Sequence, residues 1–343
     1  MDTFAENYRA LNARQKEAVD TIEGPVMVVA GPGTGKTQLL SMRVANILRR
    51  TDALPSNVLC LTFTESGAAA MRNRLVSMIG QQAYGVAIHT FHSFGSEIIN
   101  SYADFFYRGA HFRPADELSS YEVLLEIFNK LQHNNPLAAK MNGEYVALRD
   151  SQKAISDLKK SGLTPDELQQ ILDHNEVFIA YAEPHLNQLF SERLSKKAFP
   201  KVEQTINELD KYQDTPIPVI GYTTLQKVVV HSLESALQQS EEEGSTKPLG
   251  AWRSSWLEKN DQGEFVFKDH KRNTKLRALS AIYYEYLLAM QARSLYDFDD
   301  MILRVVHGLE VFAELRYNLQ EQYQYILVDE FQDTNGAQMR LLY

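Results

Sequence analysis

The sequence predicts an α/β fold: a parallel sheet with helices on both faces, interrupted by a largely α-helical inserted subdomain. Three observations carry that expectation. Residues 1 to about 100, and again from about 320, alternate short unbroken apolar runs with helical patterns. The runs Val26–Ala30, Val58–Phe63, Val86–Ile88 and Tyr325–Val328 are apolar on both faces, as the strands of a doubly covered parallel sheet are. The stretch from about 101 to 296 reads mostly as helix. The expected division is therefore 1–100 with 297–343 as a discontinuous α/β domain, and 101–296 as the insertion.

Taken in order, the first run is followed by Leu40, Val44, Ile47 and Leu48, which share one helix face. The second is followed by Ala68, Met71, Leu75 and Met78, with Gly80 as a stop. Strand, helix and strand in this rhythm build βαβ units. Within the insertion, Leu118, Tyr121, Leu125 and Phe128 recur at helical spacing. The segment "TPDE" at Thr164–Glu167 joins an N-cap threonine, a proline at the first helical position and a glutamate at the third, which is a capping box. Leu279, Ile282, Tyr283, Tyr286, Leu287 and Met290 form another apolar stripe. "NDQG" followed by "FVFK" predicts a small hairpin near 256–268, turning at Gly263. Residues 240–250 read as a polar loop.

Composition narrows the class. The chain has 343 residues, 44% hydrophobic and 23% charged, ordinary values for a soluble protein. Its apolar runs are too short to span a bilayer, and the first ten residues lack a signal-peptide pattern. One cysteine, Cys60, leaves no internal disulfide framework and fits a reducing cytoplasm; inside an apolar run it reads as a small buried hydrophobe. A net charge of -9 argues against coating nucleic acid through bulk positive charge, but leaves room for a local basic groove.

The chemistry concentrates in "VMVVAGPGTGKTQLL", a glycine-rich turn between an apolar run and an amphipathic helix. That is the context of a phosphate-binding P-loop. Ala30, Gly31, Pro32, Gly33, Thr34, Gly35, Lys36, Thr37 and Gln38 are the expected nucleotide contacts, with Ala30 standing where the strict pattern has its first glycine. Backbone N–H groups and the helix N-terminus favour phosphate. Lys36 would reach the β- and γ-phosphates, and the Thr37 hydroxyl would ligate Mg²⁺. Hydrolysis of ATP also needs a second metal contact and a group to activate water. Asp329 and Glu330 end an apolar strand, and ligands gather at the carboxyl ends of parallel strands. Asp329 is the expected Mg²⁺ ligand beside Thr37, and Glu330 the expected base. Lys36, Asp329 and Glu330 are the candidate catalytic residues.

Six ordered segments, "LNARQKEAV", "AGPGTGKT", "LTFTESGAAAMRNRL", "HTFHSFG", "YDFDDMI" and "VDEFQDTN", resemble the N-terminal half of a UvrD/Rep/PcrA-type superfamily 1 DNA helicase. The resemblance implies an ATP-driven motor moving 3′ to 5′ on single-stranded DNA, with a helical subdomain inserted into the first of two RecA-like domains. It also implies that Gln15 reads the adenine edge, and that Thr62, Phe63 and Thr64, with Thr90, Phe91 and His92, contact the strand. Phe63 is equally well read as a core residue. The sequence departs from relatives at Glu65-Ser66, where Asn-Lys is common, and at Gln38, where an arginine is common. A carboxylate near a phosphate track weakens the electrostatic case for tight DNA binding. His89 and His92 lack further metal-type partners.

The basic stretch "KDHKRNTKLR" at 268–277 is either a duplex- or junction-contacting patch or a solvated helix face. "YDFDDMI", where the insertion returns to the sheet, reads as a cap and hinge. A nucleotide-binding scaffold without motor activity is the alternative function, and a small-molecule kinase a weaker one. Because the helicase arginines come mostly from a second RecA-like domain, the chain as given is expected to bind nucleotide, hydrolyse it slowly and unwind nothing.

Overall fold

The computed structural model describes residues 3–31, 33–106, 112–192, 194–213, 215–217, 219 and 222–343. The chain divides into two compact units, Met1–Ala115 with Ser294–Tyr343, and Asp116–Arg293. These boundaries lie a few to some fifteen residues from the 100/101 and 296/297 expected from the sequence.

The first unit is organised by a parallel three-stranded sheet in the order Ala87–Thr90, Val58–Thr62, Tyr325–Val328. Leu61 lies opposite His89 on one side and Val328 on the other. The central strand is buried along its whole length. Its period of two splits the core into two layers. Val58 and Cys60 join Ile88 and Leu327 beneath the Lys36–Arg50 and Glu65–Ile79 helices, where Met42, Ile47, Met71 and Leu75 pack. Leu59 and Leu61 face the other way, onto Phe94 and Ile98 of the Phe91–Ser101 helix and onto Ile302 and Val305 of the Phe298–Val311 helix. The result is a mostly helical α/β unit with helices on both faces of a parallel sheet, as the doubly apolar runs require.

One expected strand does not form. Val26–Ala30 pairs with no strand among the described residues, and Met27 and Val29 are 79% and 90% exposed. An apolar run becomes a strand only when a ladder partner lies beside it, and its own composition cannot supply one. The chain leaves and re-enters this unit at adjacent points. Arg113–Pro114 pairs in parallel with Leu295–Tyr296, with Arg113 N donating to Ser294 O at 3.1 Å and Ala115 N to Tyr296 O at 2.8 Å.

The second unit is helical around its own core, in which Phe178, Leu186, Val202, Val229, Leu233, Trp252 and Phe267 pack. The capping box at Thr164 and Glu167 opens the Pro165–Phe190 helix. The hairpin pairs Leu257–Lys259 with Phe265–Phe267, and Gly263 takes a left-handed φ of 82° in the turn. Lys159 is fully buried with its ammonium 4.7 Å from the Tyr286 ring centroid, a cation–π contact that offsets part of its desolvation.

The basic stretch opens the Asp269–Ala292 helix, and its cations are largely engaged. Lys268 donates to Ser254 O, Lys271 pairs with Glu258 at 3.0 Å, and Arg272 lies 4.0 Å from Asp269. Arg277 meets Asp173 at 2.6 Å and Glu176 at 2.7 Å. Neighbouring carboxylates cancel much of the positive field that a phosphate-binding patch needs.

Candidate nucleotide-binding site

The loop before the Lys36–Arg50 helix is shaped by its glycines. Gly33 and Gly35 have φ of 74° and 84°, a region that L side chains enter only at a cost. A Cβ at Gly33 would meet nothing within 4 Å, so the space over the loop is open. Thr34 Oγ1 donates to Gly31 O at 2.8 Å and holds the turn. Gly35 is the N-cap, and the first backbone bond into the helix runs from Leu39 N to Gly35 O. The amides of Lys36, Thr37 and Gln38 therefore have no acceptor within the helix, the feature that makes helix starts bind phosphate. Ala30 is half-buried and Gln38 is exposed at the loop's two ends. Pro32 lies outside the described residues.

The acidic pair meets this loop across 292 positions of sequence. Asp329 N donates to Leu61 O at 2.9 Å, which extends the strand ladder by one residue and fixes the backbone there. The Asp329 carboxylate is 7% exposed and accepts from Thr37 Oγ1 at 3.1 Å and from Glu330 N at 3.2 Å. Adjacent ligands of an octahedral Mg²⁺, each bound at about 2.1 Å, sit about 3.0 Å apart. The Thr37 and Asp329 oxygens thus fit one magnesium ion. The described residues contain no cluster of three or more His, Cys, Asp or Glu that could hold a metal without substrate oxygens.

Lys36 Nζ stands 3.6 Å from Glu330 Oε2. Both side chains are partly exposed, and such a pair contributes about 0–1 kcal/mol, so an incoming phosphate can displace the carboxylate from the lysine. Glu330 itself has φ 51° and ψ 44°. A left-handed non-glycine residue costs roughly 1–2 kcal/mol, and such strain collects at functional sites. Gln332 Nε2 donates to Glu330 Oε2 at 2.5 Å and steadies the carboxylate. The sequence reading passed over this contact, although Gln332 lies only two residues from Glu330.

Gln15 has a structural duty. Its Oε1 accepts from Asn12 N at 3.0 Å, while Asn12 Oδ1 accepts from Gln15 N at 2.9 Å, closing a capping box. Its amide NH₂ is left as a donor suited to adenine N7.

The six residues assigned to a DNA strand separate by burial. Thr62 is 4% exposed, Thr90 7% and Phe91 1%. Thr62 Oγ1 lies so close to the next helix that a Cβ at Gly67 would sit 2.7 Å from it. Thr64 Oγ1 caps the Glu65–Ile79 helix by accepting from Gly67 N at 3.0 Å, and Thr90 Oγ1 caps the Phe91–Ser101 helix by accepting from Ser93 N at 3.1 Å. Phe63 is half-buried and packs edge-on against Phe91, with centroids 5.7 Å apart. His92 stacks on Phe298 at 3.8 Å and 17°, and Phe298 is 61% exposed. Phe298 went unnoticed in the sequence because its neighbours look like a cap. The capping is real: Asp297 accepts from Asp300 N at 2.8 Å. His89 pairs with Glu97 at 3.0 Å.

The ATP-dependent DNA helicase PcrA of Staphylococcus aureus (strain Mu50) is 33% identical over 171 residues, 50% of this chain and 22% of that protein. The protein of the same name from Staphylococcus epidermidis is 28% identical over 225 residues, 60% of this chain and 30% of its own length. The chain thus spans less than a third of the curated relatives it matches. The family model for the UvrD/REP helicase N-terminal domain matches residues 11–242 and 192–343, and the chain belongs to that family.

Proposed function

We propose that the chain is the ATP-binding portion of an ATP-dependent helicase that moves 3′ to 5′ on single-stranded DNA in the cytoplasm. The observation that carries the reading is the convergence of Thr37 on Asp329 at 3.1 Å and of Lys36 on Glu330 at 3.6 Å. The amides of Gly31 and of residues 33–37 hold the phosphates, and Gln15 and Gln38 border the base. Thr37 and Asp329 would hold Mg²⁺, which when bound would supply positive charge against the phosphates. Lys36 leaves Glu330 for the γ-phosphate. The freed Glu330 carboxylate, held by Gln332, accepts a proton from the attacking water. Charge on the transferring phosphoryl group still needs an arginine, typically worth 10³–10⁵ in rate. In this reading the second RecA-like domain supplies it, so the chain alone turns over slowly and does not unwind.

The strand crosses the carboxyl end of the sheet, over Phe63, Thr64 and the His92–Phe298 stack. Thr62 and Phe91 support that surface from beneath, and the Thr90 hydroxyl lies at its edge against the exposed Glu65. Stacking on an exposed ring contributes roughly 1–3 kcal/mol per base. The test is nucleotide binding and phosphate release by the chain and by its full-length parent, each with and without single-stranded DNA. Stimulation of the parent by DNA supports the motor. Tight nucleotide binding with no response to DNA would favour a nucleotide-binding scaffold instead.

A further inference from the structure

Glu65 is the first residue of the Glu65–Ile79 helix, and its Oε1 accepts a hydrogen bond from Thr90 Oγ1 at 3.1 Å. This bond ties together the turns that follow two neighbouring strands, whose ends are in register at Thr62 and Thr90. The helices that start at Glu65 and Phe91 therefore open side by side at the carboxyl end of the sheet. A helix start favours an anion, and the anion present at this junction belongs to the protein.

The hydroxyl of Thr90 is a fully used group. Its oxygen accepts from Ser93 N at 3.1 Å, and its single proton is what remains to be offered. Ser93 Oγ, at 3.0 Å, is a neutral competitor for that proton, while the Ser93 hydroxyl can send its own proton to Thr90 O at 3.2 Å. An ionised acceptor makes the stronger bond, so Glu65 takes it. A phosphate oxygen approaching Thr90 needs the same proton and meets a carboxylate of like charge. The two cannot be accommodated together. Thr90 is buried and fixed as a cap, whereas Glu65 is exposed and can rotate away without disturbing the backbone.

We propose that Glu65 is a built-in occupant of the DNA track, a carboxylate that a phosphate of single-stranded DNA must displace from Thr90 before the strand seats. The residue then sets how weakly the chain holds single strands and how steeply that hold depends on salt. This inference rests on the strand track described above.

The experiment is fluorescence anisotropy of a labelled oligodeoxythymidylate with the 343-residue chain and its Glu65→Gln, Glu65→Ala and Phe63→Ala variants, over a series of salt concentrations. Glu65→Gln keeps an acceptor for Thr90 and removes only the charge, so it remains informative if Glu65→Ala unfolds. Removing one like charge a few ångströms from a phosphate is expected to tighten binding about fivefold at low salt, a gain that shrinks as salt rises. Phe63→Ala is expected to weaken binding. If Phe63→Ala weakens binding while Glu65→Gln leaves it unchanged or weaker, Glu65 is only a clamp between two turns. The inference is then overturned while the track stands. If no variant binds, or Phe63→Ala has no effect, the track itself falls and the inference with it.

Discussion

At the scale of single residues, weak contacts hold the site in a state that substrate can replace. Lys36 and Glu330 are loosely paired at 3.6 Å, which separates their contributions experimentally. Lys36→Ala should weaken binding of labelled ATP at least tenfold, because it removes the cation aimed at the phosphates. Glu330→Gln should bind ATP at least as tightly, since it removes a negative charge beside the γ-phosphate. Phosphate release by that variant in the full-length parent should fall by roughly 10²–10⁴ for want of a base. Equal losses of binding in both variants would contradict these separate roles. Cys60 is a different case. Burial pushes its thiol up to about 12, so it stays protonated at pH 8 and lacks the nucleophilic thiolate. Iodoacetamide at pH 8 should leave native Cys60 unmodified and alkylate it in urea, as mass spectrometry would read.

At the scale of elements, local signals and their partners agree in some places and part in others. The capping box at Thr164 formed as its sequence dictates, with Thr164 N donating to Glu167 Oε2 at 2.8 Å and Glu167 N to Thr164 Oγ1 at 3.2 Å. Thr164→Ala should cost about 1 kcal/mol of stability, measured by urea denaturation. At the basic stretch 268–277 the ion pairs favour the solvated helix face over the DNA-contacting patch, because Glu258, Asp269, Asp173 and Glu176 come from outside the cationic pattern or between its members. Reversing Lys271 and Arg272 to Glu in the full-length parent should change affinity for a DNA duplex by less than about threefold. A larger loss would restore the patch as a phosphate contact.

At the scale of the whole molecule, each compact unit has its own apolar core. The nucleotide site draws all its described groups from the unit made of Met1–Ala115 and Ser294–Tyr343. That unit loses and regains the chain at hydrogen-bonded neighbours, Arg113 and Ser294. Replacing Asp116–Arg293 with a short Gly/Ser linker should therefore leave a folded protein that still binds ATP, because loop closure over a small gap costs little. Loss of cooperative thermal unfolding in that protein would show that the helical unit is needed for the other's fold.

The sequence alone determined what depends on near neighbours. The loop from Gly31 to Thr37, the caps at Thr164 and Asp297, and the hairpin turn at Gly263 are all legible because their contacts span only a few residues. The three apolar runs that became strands were legible from their composition. Tertiary structure decided everything that depends on register. It joined Thr37 to Asp329 across 292 positions, turned Phe91 inward, and set His92 against Phe298. It left Val26–Ala30 without a ladder partner among the described residues, and it carried Glu65 to Thr90. The physical reason is common to all of these: a residue's type sets which bonds it can make, while the pairing of strands sets which partner comes within reach.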